Sequence, residues 1–424
     1  MLIEFSVTNY RSIREKQTLS MAASKYYGEL KDQNCFNSGI PGLPQLVRSA
    51  VIYGPNASGK SNLLLALSFM QYMVESSAKE IQAGEKLDFY PFQLDRASKD
   101  KESEFEVLFI EDGVRYQYGF AVNKARVMRE WLIAYPGRRP QRWFDREYNR
   151  KTKMDAYEFG PRFMGGRLRQ DWKSATRGNA LFLSVAVQFN SEQLMPVFNW
   201  FQKRLRVLSP NFTLDPGYTA RVCETEEEKK KVIKFMNAAD LSISDIRVIK
   251  KKFTPDELPK DMPSALKEHY RKELEGKELR EVKFMHKNVE TSEMVSFDPE
   301  DESDGTTNLF AFAGPWLDVL GHDKVLFVDE IDSSLHPLIV HQLVRLMHQS
   351  SGKAQLVFTT HDTTILSQNI MRRDQVWFIE KDKHNASKLY PLSDFKAREK
   401  EALERGYLRG RYGAIPFIQQ TLKL

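Results

Sequence analysis

Ala50-Val51-Ile52-Tyr53-Gly54-Pro55-Asn56-Ala57-Ser58-Gly59-Lys60-Ser61-Asn62 is the stretch on which the reading of this chain turns. Residues 50–53 form a short apolar run of the kind a buried strand needs. Gly54 to Ser61 matches the pattern G-x-x-x-x-G-K-[ST]. Beyond it Leu63, Leu67, Met70 and Val74 recur at the spacing of one helix face. Strand, glycine-rich loop and helix start, in that order, make a phosphate cradle. The glycines let backbone N–H groups turn toward an anion. The helix N-terminus adds partial positive charge. Lys60 is placed to reach β- and γ-phosphates and Ser61 to give an oxygen to Mg²⁺.

A second segment complements the first. Val325-Leu326-Phe327-Val328-Asp329-Glu330 is an apolar strand ending in two carboxylates. Asp329 suits Mg²⁺, through water, and Glu330 suits the polarising of an attacking water. His361, in Thr359-Thr360-His361-Asp362, follows the next strand and could meet a γ-phosphate; a lone imidazole there is as easily structural or exposed.

Composition sets the wider frame. At 424 residues, 41% hydrophobic and 28% charged, the chain reads as a soluble protein of two or three domains. Its net charge of +6, from 63 Lys+Arg against 57 Asp+Glu, permits a nucleic-acid partner without demanding one. Two cysteines, Cys35 and Cys223, argue against a disulfide framework or a Cys-rich zinc site. No leader pattern opens the sequence, and no apolar run approaches the roughly 20 residues of a spanning helix, so a cytoplasmic location and no membrane partner are expected.

Ile3, Phe5 and Val7 alternate with polar residues, and 104–110 and 114–122 flank an Asp112-Gly113 turn. With 130–135 these predict an antiparallel layer drawn from 1–20 and 85–145. From 146 to 285 charged, helix-favouring segments dominate, at 224–236 and 264–282, and 180–187 is an apolar stretch among them. That region reads as a mainly helical insert without a long coiled coil. The last third alternates strands (324–328, 356–360, 376–379) with a helical pattern over 337–349, which predicts a largely parallel sheet. The expected division is 1–145 and 286–424 as two parts of one discontinuous α/β domain, interrupted by 146–285.

The combination resembles the ABC-type ATPases of the SMC, RecF and OLD kind, and within them the AAA15 group of bacterial ATP-binding proteins. Asn9-Tyr10-Arg11-Ser12-Ile13 is similar to their N-terminal strand signature. Residues 53–62 resemble Walker A, Asp329-Glu330 Walker B, and Asp332 with Ser333, Ser334 and Leu335-His336-Pro337 the D-loop segment. The resemblance makes His361 the switch histidine. It implies a fold of ABC/SMC-like ATPase head type: a P-loop parallel-sheet core, an antiparallel β subdomain and the insert.

ATP and Mg²⁺ are the implied cofactors, with slow ATP hydrolysis the implied reaction. Gly54, Pro55, Asn56, Ala57, Ser58, Gly59, Lys60, Ser61, Asn62 and Arg11 would contact ATP. Ser61, Asp329 and a Q-loop glutamine, Gln93 or alternatively Gln82, would serve the metal. Glu302-Ser303-Asp304-Gly305-Thr306 resembles a signature motif that binds a partner's nucleotide in trans; its Ser and Gly fit the standard Leu-Ser-Gly-Gly-Gln and its flanks do not. The plain alternative is an acidic surface turn. A head-to-head homodimer follows from the resemblance. So does a sensor or regulatory role in phage defence, with a separate effector such as a Toprim-type nuclease. The competing expectation is a RecF/Rad50-like, ATP-dependent DNA-binding protein, using Lys229–Lys231, Lys250–Lys252, Arg138, Arg139 and Arg142.

Overall fold

The computed structural model describes residues 1–208, 215–238, 242–252, 262–264, 266–268, 271, 278–333, 335–366, 370–395 and 403–415. The chain divides into two compact units. The first comprises Met1–Phe212, Val319–Ser333 and Leu343–Leu424; the second comprises Thr213–Asp318 and Ser334–Gln342.

Two large sheets build the first unit, beside a small antiparallel pair of Cys35–Phe36 with Leu46–Val47. One has seven antiparallel strands: β1 (Leu2–Thr8), β2 (Gln17–Ser20), β4 (Ser103–Glu111), β5 (Val114–Val122), β6 (Val127–Tyr135), β7 (Gln141–Asn149) and β8 (Met154–Phe159), in the order β8-β7-β6-β5-β4-β1-β2. The other is made from β3 (Ser49–Tyr53), β9 (Leu205–Leu208), β13 (Val325–Val328), β14 (Gln355–Thr359), β15 (Val376–Lys381) and β16 (Ser387–Pro391), in the order β9-β13-β14-β3-β15-β16. Its pairings are parallel except the edge hairpin β15–β16. The phosphate-loop strand β3 therefore lies inside the sheet, between β14 and β15, and all its residues are buried. A strand covered on both faces reads as an unbroken apolar run, as this one does.

Helix α1 (Lys60–Ser76) follows β3, and its Leu63, Leu67, Met70 and Val74 are fully buried. They join one continuous core with Phe5, Phe105 and Phe120 of the antiparallel sheet and Ile52, Val325 and Phe327 of the parallel one. Burying side chains of this size contributes about 1.5–3 kcal/mol each.

The expected insert needs correction. Residues 141–159 are the last two strands of the antiparallel sheet, and 205–208 is the edge strand of the parallel one. The charges on and beside these strands are paired within the sheet. Arg146 is buried against Asp155 at 2.9 Å, Arg126 meets the same carboxylate at 2.6 Å, and Arg129 meets Asp145 at 2.8 Å. The apolar stretch near 180 is helix α2 (Phe182–Gln188), whose first N–H groups are accepted by buried Glu130.

The second unit contains helix α3 (Glu226–Asn237) and a three-stranded antiparallel sheet, β10 (Asp245–Lys252), β11 (Glu278–Lys287) and β12 (Met294–Phe297). Residues 278–282, expected as helix, open β11; the earlier part of that stretch is largely outside the described residues. Helix α4 (Asp304–Gly321) begins in this unit, and helix α5 (Pro337–Gln349) matches the predicted spacing. Among the described residues no helix is long and apolar enough to cross a membrane.

Candidate nucleotide site

The loop between β3 and α1 holds its shape by close packing. A Cβ on Gly54 would stand 2.3 Å from the Ile379 carbonyl oxygen, and one on Gly59 2.2 Å from the Ser387 hydroxyl. Gly59 also sits at φ +111°, where a side chain is strained. Asn56 and Ala57 form the exposed crest, and Pro55 is half-buried. Gly59 is the N-cap of α1, and no side chain caps that helix start. Its first amides are thus left for an anion. Ser58 is 1% exposed, and its hydroxyl is buried without a hydrogen-bond partner.

Lys60 lies behind this loop, 5% exposed. Its Nζ donates to the Gly54 carbonyl at 2.8 Å and stands 3.4 Å from Nε2 of His361. Burial lowers the ammonium pKa, while the charges of Glu330, Asp329 and Asp332 act against that shift. The lysine from the early segment and the acids from the late one therefore converge.

The acidic end of β13 is wired to β14. Thr359 donates its hydroxyl to Asp329 Oδ1 at 2.5 Å and accepts the Glu330 N–H at 2.7 Å. Glu330 is held at φ 50°, an uncommon conformation for this residue type. Asp329 is 5% exposed, and its Oδ2 is buried with no partner. An orphaned buried carboxylate oxygen beside a lysine fits a divalent cation. Asp332 accepts the His361 backbone N–H at 3.1 Å, which ties the D-loop to the exposed histidine. Ser334 of that loop segment lies outside the described residues.

Other expected residues are placed differently. Ser61 is half-buried in the first turn of α1, but the Asn62 amide donates to the Ser12 hydroxyl at 2.7 Å. Arg11 stacks on Tyr90, its guanidinium 4.6 Å from the ring centre. Gln93 is exposed and donates to the Pro91 carbonyl at 3.1 Å, with no hydrogen bond to Asp329. Gln82 gives its carbonyl to Asn179 at 2.7 Å. Sequence reasoning did not single out Thr359, Ser12 or Ser387 for their contacts here. Thr359 precedes His361 by two positions, a local cue; Ser387 carries no such cue.

In the second unit Ser303 accepts the Thr306 N–H at 3.1 Å and meets the Thr306 hydroxyl at 2.9 Å, so it caps the start of α4 itself. Ser303 and Asp304 are exposed. A Cβ on Gly305 would meet only Ser303 Oγ, at an ordinary 3.6 Å.

A family model described as "AAA domain, putative AbiEii toxin, Type IV TA system" matches residues 49–164 and 234–367. Those stretches carry the phosphate loop, the β13 carboxylates and His361. Among solved structures, the SMC head domain from Thermotoga maritima is 14% identical with a TM-score of 0.40, covering 92% of this chain and 98% of that one. An SmcHead bound to the C-winged helix domain of ScpA is 12% identical with a TM-score of 0.43, covering 92% and 97%. No curated relative matches the chain. With more than half of its length matched around this site, the chain belongs to that AAA-domain ATPase family.

Proposed function

We propose that the chain binds ATP with Mg²⁺ on the β3–α1 loop and hydrolyses it slowly. One observation carries the reading: Lys60, Asp329, Glu330 and His361 gather at an uncapped helix start, where Asp329 Oδ2 is buried and unpartnered. The amides of Gly59, Lys60 and Ser61 would hold the phosphates, and Lys60 would exchange the Gly54 carbonyl for phosphate oxygen. Asp329 and Ser61 would hold Mg²⁺, which when bound supplies charge neutralisation at the phosphates. Glu330 is the residue to orient and deprotonate water, its backbone fixed by Thr359. His361 would sense the γ-phosphate and pass its presence to Asp332.

The site is completed, on this reading, by a second copy. Ser303, Asp304, Gly305 and Thr306 are the segment offered in trans. In support, Ser303 and Asp304 are exposed and, among the described residues, nothing crowds Gly305, so its missing side chain suits the approach of an outside group. ATP would favour the pair and hydrolysis would release it. The biological role that fits is a cytoplasmic, dimerising sensor or regulator in phage defence, working with a separate effector nuclease. The family description, a toxin of a type IV TA system, supports a role as one member of a paired system. The DNA-binding alternative draws less support. Lys229, Lys231, Lys250 and Lys251 are each paired with carboxylates, of Glu226 and Asp245, Glu227 and Glu228, Glu224, and Glu281.

The test is Mg²⁺-ATP binding and phosphate release by the parent, Lys60→Ala and Glu330→Gln. Binding lost in the first variant, and turnover lost but binding kept in the second, is the expected pattern. Equal affinity in parent and Lys60→Ala would end the proposal.

A further inference from the structure

Three stretches far apart in sequence meet at the junction of the phosphate loop and α1. Ser387 Oγ donates to the Ser58 carbonyl at 2.5 Å. Ser12 Oγ lies 2.8 Å from Ser387 Oγ, and Asn62 Nδ2 donates to Ser12 Oγ at 2.7 Å. The Ser387 backbone N–H also donates to the Ser12 carbonyl at 2.8 Å, so the two serines are fixed side by side.

The proton positions follow from counting donors. A serine hydroxyl has one proton. Ser387 spends its proton on Ser58, so Ser12 must donate to Ser387. Ser12 is then free to accept from Asn62. The result is a directed chain, Asn62 amide to Ser12 hydroxyl to Ser387 hydroxyl to Ser58 carbonyl. Each hydroxyl gives and receives, the arrangement in which neighbouring hydrogen bonds strengthen one another. The chain begins and ends on the same stretch of backbone, four residues apart, and so closes a ring around the loop exit.

The geometry points to Ser387 and Ser12 as positioning residues for nucleotide binding, resting on the ATP-binding reading above. Their strap fixes the Ser58 carbonyl, and with it the peptide plane whose other edge carries the Gly59 N–H. A peptide plane cannot turn its oxygen to Ser387 and to the phosphates together. With the oxygen tethered, the next amides stay directed at the anion before it arrives, which lowers the ordering cost of binding. The same contact accounts for the glycine at 59: its Cβ would collide with the strap, 2.2 Å from Ser387 Oγ and 2.7 Å from Ser12 Oγ.

The experiment measures binding of a slowly hydrolysed ATP analogue with Mg²⁺ to the full chain, alongside thermal melting without nucleotide. Ser387→Ala and Ser12→Ala should each weaken binding about fivefold, the worth of one net hydrogen bond. The double variant should lose little more than either single one, because the chain is already cut. In the alanine variants kcat at saturation should hold while KM rises, and Ser12→Thr, which keeps the hydroxyl, should restore affinity. Unchanged affinity in both alanine variants overturns the inference, as does full additivity. If Ser387→Ala melts without cooperativity, Ser12→Ala against Ser12→Thr decides: equal affinities overturn it. A parent that binds the analogue no better than Lys60→Ala overturns the ATP reading itself, and the strap's role falls with it.

Discussion

Helices α1 and α4 both begin with small polar residues and a glycine, yet the two beginnings are opposite in kind. The start of α1 is buried, hemmed in by Ser387 and Ser12, and has no side chain capping its amides. The start of α4 is exposed and capped by its own Ser303. On the proposed reading the first is completed by an anion, whereas the second is already satisfied by its own side chain. A residue's type does not reveal which case applies: Gly59 is required by its own fold, whereas among the described residues Gly305 has no neighbour that forbids a methyl group.

The contrast can be broken most decisively at the carboxylates. Glu330→Gln should reduce phosphate release by about 10²–10⁴-fold, the usual worth of a positioned general base. Nucleotide affinity should stay within a few fold, as single-turnover release and analogue titration will report. Lys60→Ala should weaken triphosphate binding by about 10–150-fold, as expected for a charge-assisted contact of 1.5–3 kcal/mol. A smaller loss would mean the α1 start is not completed by phosphate.

The two glycines give the sharpest pair. Gly59→Ala should destabilise the fold by about 1–3 kcal/mol through overpacking and a strained φ. Gly305→Ala should leave stability within about 1 kcal/mol, since alanine is a better helix former than glycine. It should still abolish ATP-driven pairing in analytical ultracentrifugation. Equal melting shifts in the two variants would erase the distinction between these helix starts.

The most gradual effect is a pH slope beneath β3. His348 is buried against the Ser49 hydroxyl at 2.7 Å, and burial, reinforced by Arg48, lowers its pKa from 6.5 to about 3. Between those values the unfolded chain holds a proton that the folded one lacks. Stability present above pH 6.5 should therefore fall as pH drops toward 3, by up to about 1.4 kcal/mol per unit. His348→Gln should flatten that slope in acid unfolding curves.

Local pattern made much of this legible. The phosphate loop, α1, β13 and the β4–β5 hairpin each declare themselves within one short continuous stretch. The strands at 141–159 did not, because Arg146 spends its charge on Asp155 and Asp145 on Arg129 inside the sheet, and a sequence shows the charges but not the pairs. Ser387 was hidden for the same reason: its significance lies in Ser12 and Ser58, far away along the chain. The Gln93 and Arg11 assignments rested on resemblance alone, and the side chains are engaged by Pro91 and Tyr90.

The place of β3 inside the parallel sheet has a consequence for how the molecule is made. Ser49 and His348, in contact, are 299 positions apart. Both strands flanking β3 are translated long after it, so during synthesis this apolar strand emerges with its ladder bonds unmet. Nascent chains should spend that interval exposed to aggregation and dependent on chaperones. A ribosome that stops before β14 would release a polypeptide with an intact phosphate-loop sequence and no sheet to hold it.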